Sequence, residues 1–131
     1  MKKNIKRIAI IAGVIIGIAF IFFIVMFVKT NQEVNNLEYS GVEVSDVKDG
    51  VYQGGAETTL VKVEVEVTVK EHKITDIKIL KHDNGMGGKA EQITKNMIDS
   101  NTYEVDAVSG ATVSSEVIKS AVSKALVRGK E

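Results

Sequence analysis

From Ile8 to Val28 the chain carries 21 consecutive residues without a charge, rich in Ile, Val and Phe. A helix rises about 1.5 Å per residue, so a run of this length reaches roughly 30 Å, the thickness of a bilayer's hydrocarbon core. All four phenylalanines (Phe20, Phe22, Phe23 and Phe27) fall inside it. The segment is therefore not available to a soluble core, and the rest of the chain must fold without it. A cleaved signal peptide would have a shorter apolar stretch, about 7–15 residues, and a small-x-small cleavage site. Phe27-Val28-Lys29-Thr30-Asn31 offers no such site, and a lipoprotein anchor would need a cysteine, which the chain lacks. The reading is a retained single membrane span.

Charge sets its expected direction. Lys2, Lys3, Lys6 and Arg7 precede the span and only Lys29 follows it closely, which places the N-terminus in the cytoplasm and the chain after Thr30 outside the cell membrane. All 17 acidic residues lie beyond the span, against 13 basic ones, so the outer part is acidic. That balance argues against nucleic acid as a partner, which would ask for a basic face. Without cysteine there is no disulfide, no thiol redox chemistry and no thiolate-held iron–sulfur cluster. Two histidines without ligand spacing do not make a structural zinc site.

The expected organisation is a basic N-terminus over 1–7, the span over 8–28, a tether over 29–47, a folded domain over 48–126 and a short tail over 127–131. A domain near 80 residues suffices for one small core. Asp49-Gly50 marks a turn into Val51-Tyr52-Gln53-Gly54, a short strand ending in a glycine pair. Val61, Val63, Val65, Val67 and Val69 alternate with charged residues and a threonine, which is a strand with one buried and one wet face. Glu71-His72-Lys73 turns the chain into a return strand from Ile74 to Leu80. Such a hairpin is unstable alone and needs helices over its apolar face. Lys89–Ser100 supplies one, with Ala90, Ile93, Met97 and Ile98 on one stripe. Ser114–Val127 supplies another, with Val117, Ile118, Ala121, Val122, Ala125 and Leu126. The fold class is α+β: a small antiparallel sheet with helices packed on one face, behind the N-terminal transmembrane helix.

Packing leaves two segments unexplained. His82-Asp83-Asn84-Gly85-Met86-Gly87-Gly88 carries three glycines that permit close backbone approach to a ligand, or simply an ordinary turn. Asp106-Ala107-Val108-Ser109-Gly110-Ala111-Thr112-Val113-Ser114-Ser115 brings three serines and a threonine to the start of the last helix. Free N–H groups there favour an anion. Plain capping by Ser114 or Ser115 is the simpler alternative, although a cap needs only one hydroxyl. From the residues alone this is a candidate phosphate site.

Asp-x-x-Ser-Gly-Ala-Thr-x-Ser-Ser at 106–115 resembles the flavinylation motif of the FMN-binding domain family. That family includes the C subunit of sodium-pumping NADH:quinone reductase and the G subunit of Rnf-type electron-transport complexes. Asp49-Gly50-Val51-Tyr52 is similar to the family's opening strand, and the valine hairpin to its sheet. His82-x-Asn84-Gly85-x-Gly87-x-x-Ala90-Glu91 is similar to its central loop and helix start. The resemblance implies FMN joined through its phosphate to the Thr112 hydroxyl by a separate FAD-dependent, magnesium-requiring flavin transferase. It further implies that Asp106, Ser109, Gly110 and Ala111 are what the transferase recognises. The ester phosphate would then sit at the helix start by Ser114 and Ser115, and Gly85, Gly87, Gly88 and His82 near the flavin. The chain lacks the central-loop proline of larger members and is little more than one domain, so membership of a multi-subunit pump does not follow. The implied role is that of an anchored electron carrier or redox subunit between an unidentified donor and acceptor, rather than a stand-alone enzyme. A non-covalent FMN binder, a cofactor-free interaction or sensor domain, and a regulatory subunit associating through Gly13-x-x-x-Gly17 are the competing expectations.

Overall fold

The computed structural model describes residues 1–83 and 88–130. They fall into two compact units, Met1–Gln32 and Glu33–Glu131. The first is helical throughout from Lys2 and belongs to α1 (Lys2–Asn35), which buries none of its residues. Among the described residues α1 is the one helix long and apolar enough to cross a bilayer, and its length and composition suit a membrane span or a signal sequence. The helix outruns the apolar run by seven residues, so the first part of the expected tether is helical.

The second unit is built on three antiparallel strands in the order β1-β2-β3: Gly50–Glu57, Lys62–Lys70 and Lys73–Asp83. Val63, Val65, Val67 and Val69 turn one face of β2 fully inward, as their alternation requires, while Lys62, Glu64 and Lys70 stay exposed. Glu71 and His72 alone connect β2 to β3, and both take left-handed φ values, 52° and 61°. This is the conformation that matches a two-residue hairpin to the twist of its strands. The strained pair is held from outside. Asn101, itself left-handed at the end of α2 (Ile93–Ser100), donates through Nδ2 to the His72 carbonyl at 3.1 Å and accepts from the Ile74 N–H at 2.8 Å.

Above the inner face lies α3 (Thr112–Val127), with Val117, Ile118, Ala121, Val122, Ala125 and Leu126 fully buried. Ala90, Ile93 and Met97 close the core from the 3-10 turn Gly88–Gln92 and from α2, so the expected second helix is split into these two pieces. The result is the α+β arrangement expected from the sequence, a three-stranded antiparallel sheet with packed helices.

Three local expectations are corrected. First, β1 does not end at the glycine pair but continues through it to Glu57. A β-carbon on Gly54 would lie 2.3 Å from the Ala121 carbonyl oxygen and 2.5 Å from the Ala125 nitrogen, so the missing side chain is what lets α3 seat on the strand. Second, β3 runs past Leu80 to Asp83, which puts His82 on a strand opposite Val63. Third, the outer part of the expected tether belongs to the core: Val42, Val44 and Val47 are buried, and Val47 bridges to Lys130. Lys48 N–H donates to the Gly129 carbonyl at 2.8 Å, so the C-terminal residues are also held by the fold.

Candidate functional site

The motif at 106–115 folds as a turn feeding a helix. Val108, Ser109, Gly110 and Ala111 form the turn, closed by the Ala111 N–H donating to the Val108 carbonyl at 2.9 Å. Gly110, third in the turn, has φ +79°, the value a type II turn needs at that position and one that disfavours any residue with a β-carbon. Ala111 is buried beneath it and stands at the helix N-cap, where no side chain supplies a capping hydrogen bond.

The two serines that follow are not caps. Both lie inside the first turn of α3 and are buried. Ser115 Oγ accepts from the Val108 N–H at 2.9 Å and donates to the Ala111 carbonyl at 2.7 Å, which pins both ends of the turn to the helix. A hydroxyl one turn into a helix reaches the carbonyl four residues back, so capping loses to this internal bond.

Ser114 faces the sheet. Its Oγ lies 3.1 Å from His82 Nε2, and His82 Nδ1 lies 3.1 Å from Glu91 Oε1. The His82 side chain is 2% exposed while that of Glu91 is 51% exposed. A carboxylate can only accept, so Nδ1 carries a proton toward Glu91, and in the neutral ring Nε2 accepts from the Ser114 hydroxyl. The chain Glu91–His82–Ser114 thus fastens three elements, the 3-10 turn, the end of β3 and the start of α3.

Between the buried serines and the glycine turn, Thr112 is the first residue of α3 and is exposed. The leading N–H groups of a helix have no intrahelical acceptors, and among the described residues no side chain caps them here. Lys89 comes from the 3-10 turn and sets its Nζ 3.1 Å from where a β-carbon on Gly110 would stand. Asp106, Ser109 and Gly110 are exposed on the approach to the threonine. Gly88 is exposed, with open space where a side chain would be, whereas Gly85 and Gly87 lie outside the described residues. Of the residues marked from sequence, the structure gathers His82, Ser109, Gly110, Ala111, Thr112, Ser114 and Ser115 around one helix start. Sequence reasoning missed Lys89 as a site residue and Glu91 as the partner of the histidine. The only signal for either was an acid and a base directly after a glycine run.

A cleft of about 710 Å³ exists among the described residues, but Glu33, Leu37, Glu38, Glu57, Thr59 and Lys124 line it and none belongs to the motif. The family model described as FMN-binding domain matches residues 61–127, half of the chain and all of the site described above. The chain belongs to the FMN-binding domain family. The FMN-binding domain here offers a phosphate group an exposed hydroxyl, uncapped helix N–H groups and an ammonium over the preceding turn. These donors are of the chemistry that a phosphate ester asks for. With the apolar α1, the domain fits a membrane-anchored flavin-binding protein.

Proposed function

We propose that the chain is a single-span membrane protein, N-terminus in the cytoplasm, whose extracytoplasmic domain carries FMN as a phosphoester on Thr112 and serves as an electron carrier or redox subunit. The observation that carries this reading is the placement of Thr112. It is the exposed first residue of α3, directly after a type II turn held by Ser115, at a helix start that no side chain caps among the described residues. In attachment, Thr112 Oγ1 forms a bond to the flavin-side phosphorus of FAD, the diphosphate bond breaks, AMP leaves and the hydroxyl proton is released. A separate flavin transferase performs the step, recognising the exposed Asp106, Ser109 and Gly110.

When bound, FMN supplies one- and two-electron redox chemistry, joining donors and acceptors of different stoichiometry. The protein's own residues tether and orient. Ser115 and Gly110 set the direction in which Thr112 points, and Ser114 with His82 fixes the helix start to the sheet. The ester keeps the carrier from diffusing away outside the cell, and the span confines it to a layer beside membrane partners, raising its effective concentration there. The test is mass spectrometry of the peptide Asp106–Lys119 from protein co-expressed with an active flavin transferase. An added FMN moiety localised to Thr112 is the expected result, and unmodified peptide defeats the reading.

A further inference from the structure

Lys89 is exposed, and no hydrogen bond or ion pair involves it among the described residues. Its ammonium nevertheless lies over the backbone of Gly110, with Nζ 3.1 Å and Cε 3.4 Å from the position of a β-carbon there. The backbone that carries Lys89 is well fixed. Ala90, the next residue, is fully buried, and Glu91, two residues on, holds the imidazole that holds Ser114. The Glu91–His82–Ser114 chain therefore does more than join elements: it brings the 3-10 turn against the start of α3 and so delivers one cation to the turn before Thr112. Gly110 and Thr112 are two positions apart, a backbone span of at most about 7 Å. A lysine stem on a fixed base covers that distance, and its three rotatable donors suit a phosphate as a point-charge partner.

We propose that Lys89 binds the phosphate of the ester on Thr112, opposite the free N–H groups of α3, and so holds the flavin's attachment point against the turn. This inference rests on the threonine reading above. Glycine at 110 then has a second use beyond its left-handed φ, because a side chain there would stand in tight contact with the ammonium.

The experiment uses the full-length chain co-expressed with flavin transferase, as wild type, Lys89→Gln, Lys89→Glu and Lys89→Arg. Two quantities are read: the fraction of the Asp106–Lys119 peptide carrying FMN at a fixed early time, and the ³¹P chemical shift of the ester in the labelled protein. The expected result is several-fold slower labelling in the Gln and Glu variants. Their ³¹P resonance should move toward that of a free flavin phosphodiester, while the Arg variant stays close to wild type in both readouts. Superimposed ³¹P resonances in wild type, Gln and Glu variants overturn the phosphate contact, even where labelling slows, since the lysine would then act only on the transferase. Absence of any adduct on the wild-type chain overturns the threonine reading and this inference with it. An adduct with unmoved resonances overturns the lysine alone.

Discussion

His82 and Ser114 are 32 positions apart in sequence and meet through a 3.1 Å hydrogen bond between Nε2 and Oγ. The bond ties the last residues of β3 to the first turn of α3, two residues past Thr112. With Glu91 on the other ring nitrogen, the imidazole is a buried bridge and not a surface residue. The turn before α3 is held from its other side by Ser115, so the exposed Thr112 opens the helix directly after a turn fastened at both ends.

Ser114→Ala and Ser115→Ala should therefore cost more than a lost helix cap. Ser114→Ala removes a hydrogen bond from the enclosed His82 ring, and Ser115→Ala leaves the half-buried Val108 N–H without its acceptor. A lost bond of this kind costs about 1–3 kcal/mol. For a domain of this size each kcal/mol lowers Tm by about 4–8 °C. Thermal denaturation of the full-length protein in detergent is the measurement. A change below 1 °C in both variants would show that neither bond matters to the fold.

Gly54→Ala should destabilise although alanine is ordinarily the better residue in regular structure. The new methyl would lie 2.3 Å from the Ala121 carbonyl oxygen and 2.9 Å from the Ala125 β-carbon, so α3 must lift from β1. Overpacking of this kind costs about 1–3 kcal/mol. Urea denaturation should place the midpoint of the variant clearly below that of wild type, with an unchanged slope.

The sheet and helices were legible because their patterns are strong. Five valines at period two can bury only one face, and the stripes of Met97 and Ile118 belong to no other element. Where sequence reasoning stopped short, tertiary contact decided. Gly54-Gly55 looks like the end of a strand until α3 is seen to need the space. Lys81-His82-Asp83 reads as polar loop, yet the ring of His82 is enclosed by partners from two other elements. Val42, Val44 and Val47 are too sparse to announce a core segment, and only their packing against the folded domain reveals one. Within the motif, Gly110 and Thr112 were legible by resemblance, whereas the inward direction of Ser114 and Ser115 depends on where α3 begins.

Tyr39 gives a pH prediction. Its phenol donates to a carboxylate oxygen of Glu116, and its ring stacks on Tyr103 with centroids 6.2 Å apart. Partial burial, then the neighbouring Glu116 carboxylate, raises its ionisation well above the usual tyrosine range. The folded state thus keeps a proton that the unfolded chain releases above about pH 10. Stability from this contact is full below that pH and is lost as pH rises further, toward the folded value. Tyr39→Phe should flatten the alkaline limb of a Tm-against-pH curve between about pH 10 and 12. An equally steep limb in the variant would assign the effect to other groups.

The charge asymmetry about Ile8–Val28 predicts the side of the membrane on which the domain lies. Protease added to intact spheroplasts should remove a C-terminal tag while sparing cytoplasmic markers. A tag that survives until lysis would reverse the orientation and take with it an extracytoplasmic site of flavin attachment.

Thr112→Ala separates the role of the hydroxyl from the role of the fold. The side chain is exposed, and the turn before it is closed by Val108, Ala111 and Ser115, none of which uses the threonine hydroxyl. Its replacement should leave Tm within about 2 °C of wild type, as expected for an exposed site with no special contact. Flavin fluorescence that survives denaturing electrophoresis should disappear completely. Thr112→Ser keeps a hydroxyl at the same helix position and should retain part of the labelling. Ser115→Ala is the informative contrast: it keeps the acceptor but frees the Val108 N–H, while the Ala111 carbonyl keeps the backbone N–H of residue 115, so labelling should slow without vanishing. Equal covalent fluorescence in wild type and the Thr112→Ala variant would exclude this threonine as the acceptor. Loss of covalent flavin in every variant, accompanied by a fall in Tm, would instead mean that the turn had collapsed. The Ser variant, which disturbs the turn least, distinguishes the two outcomes.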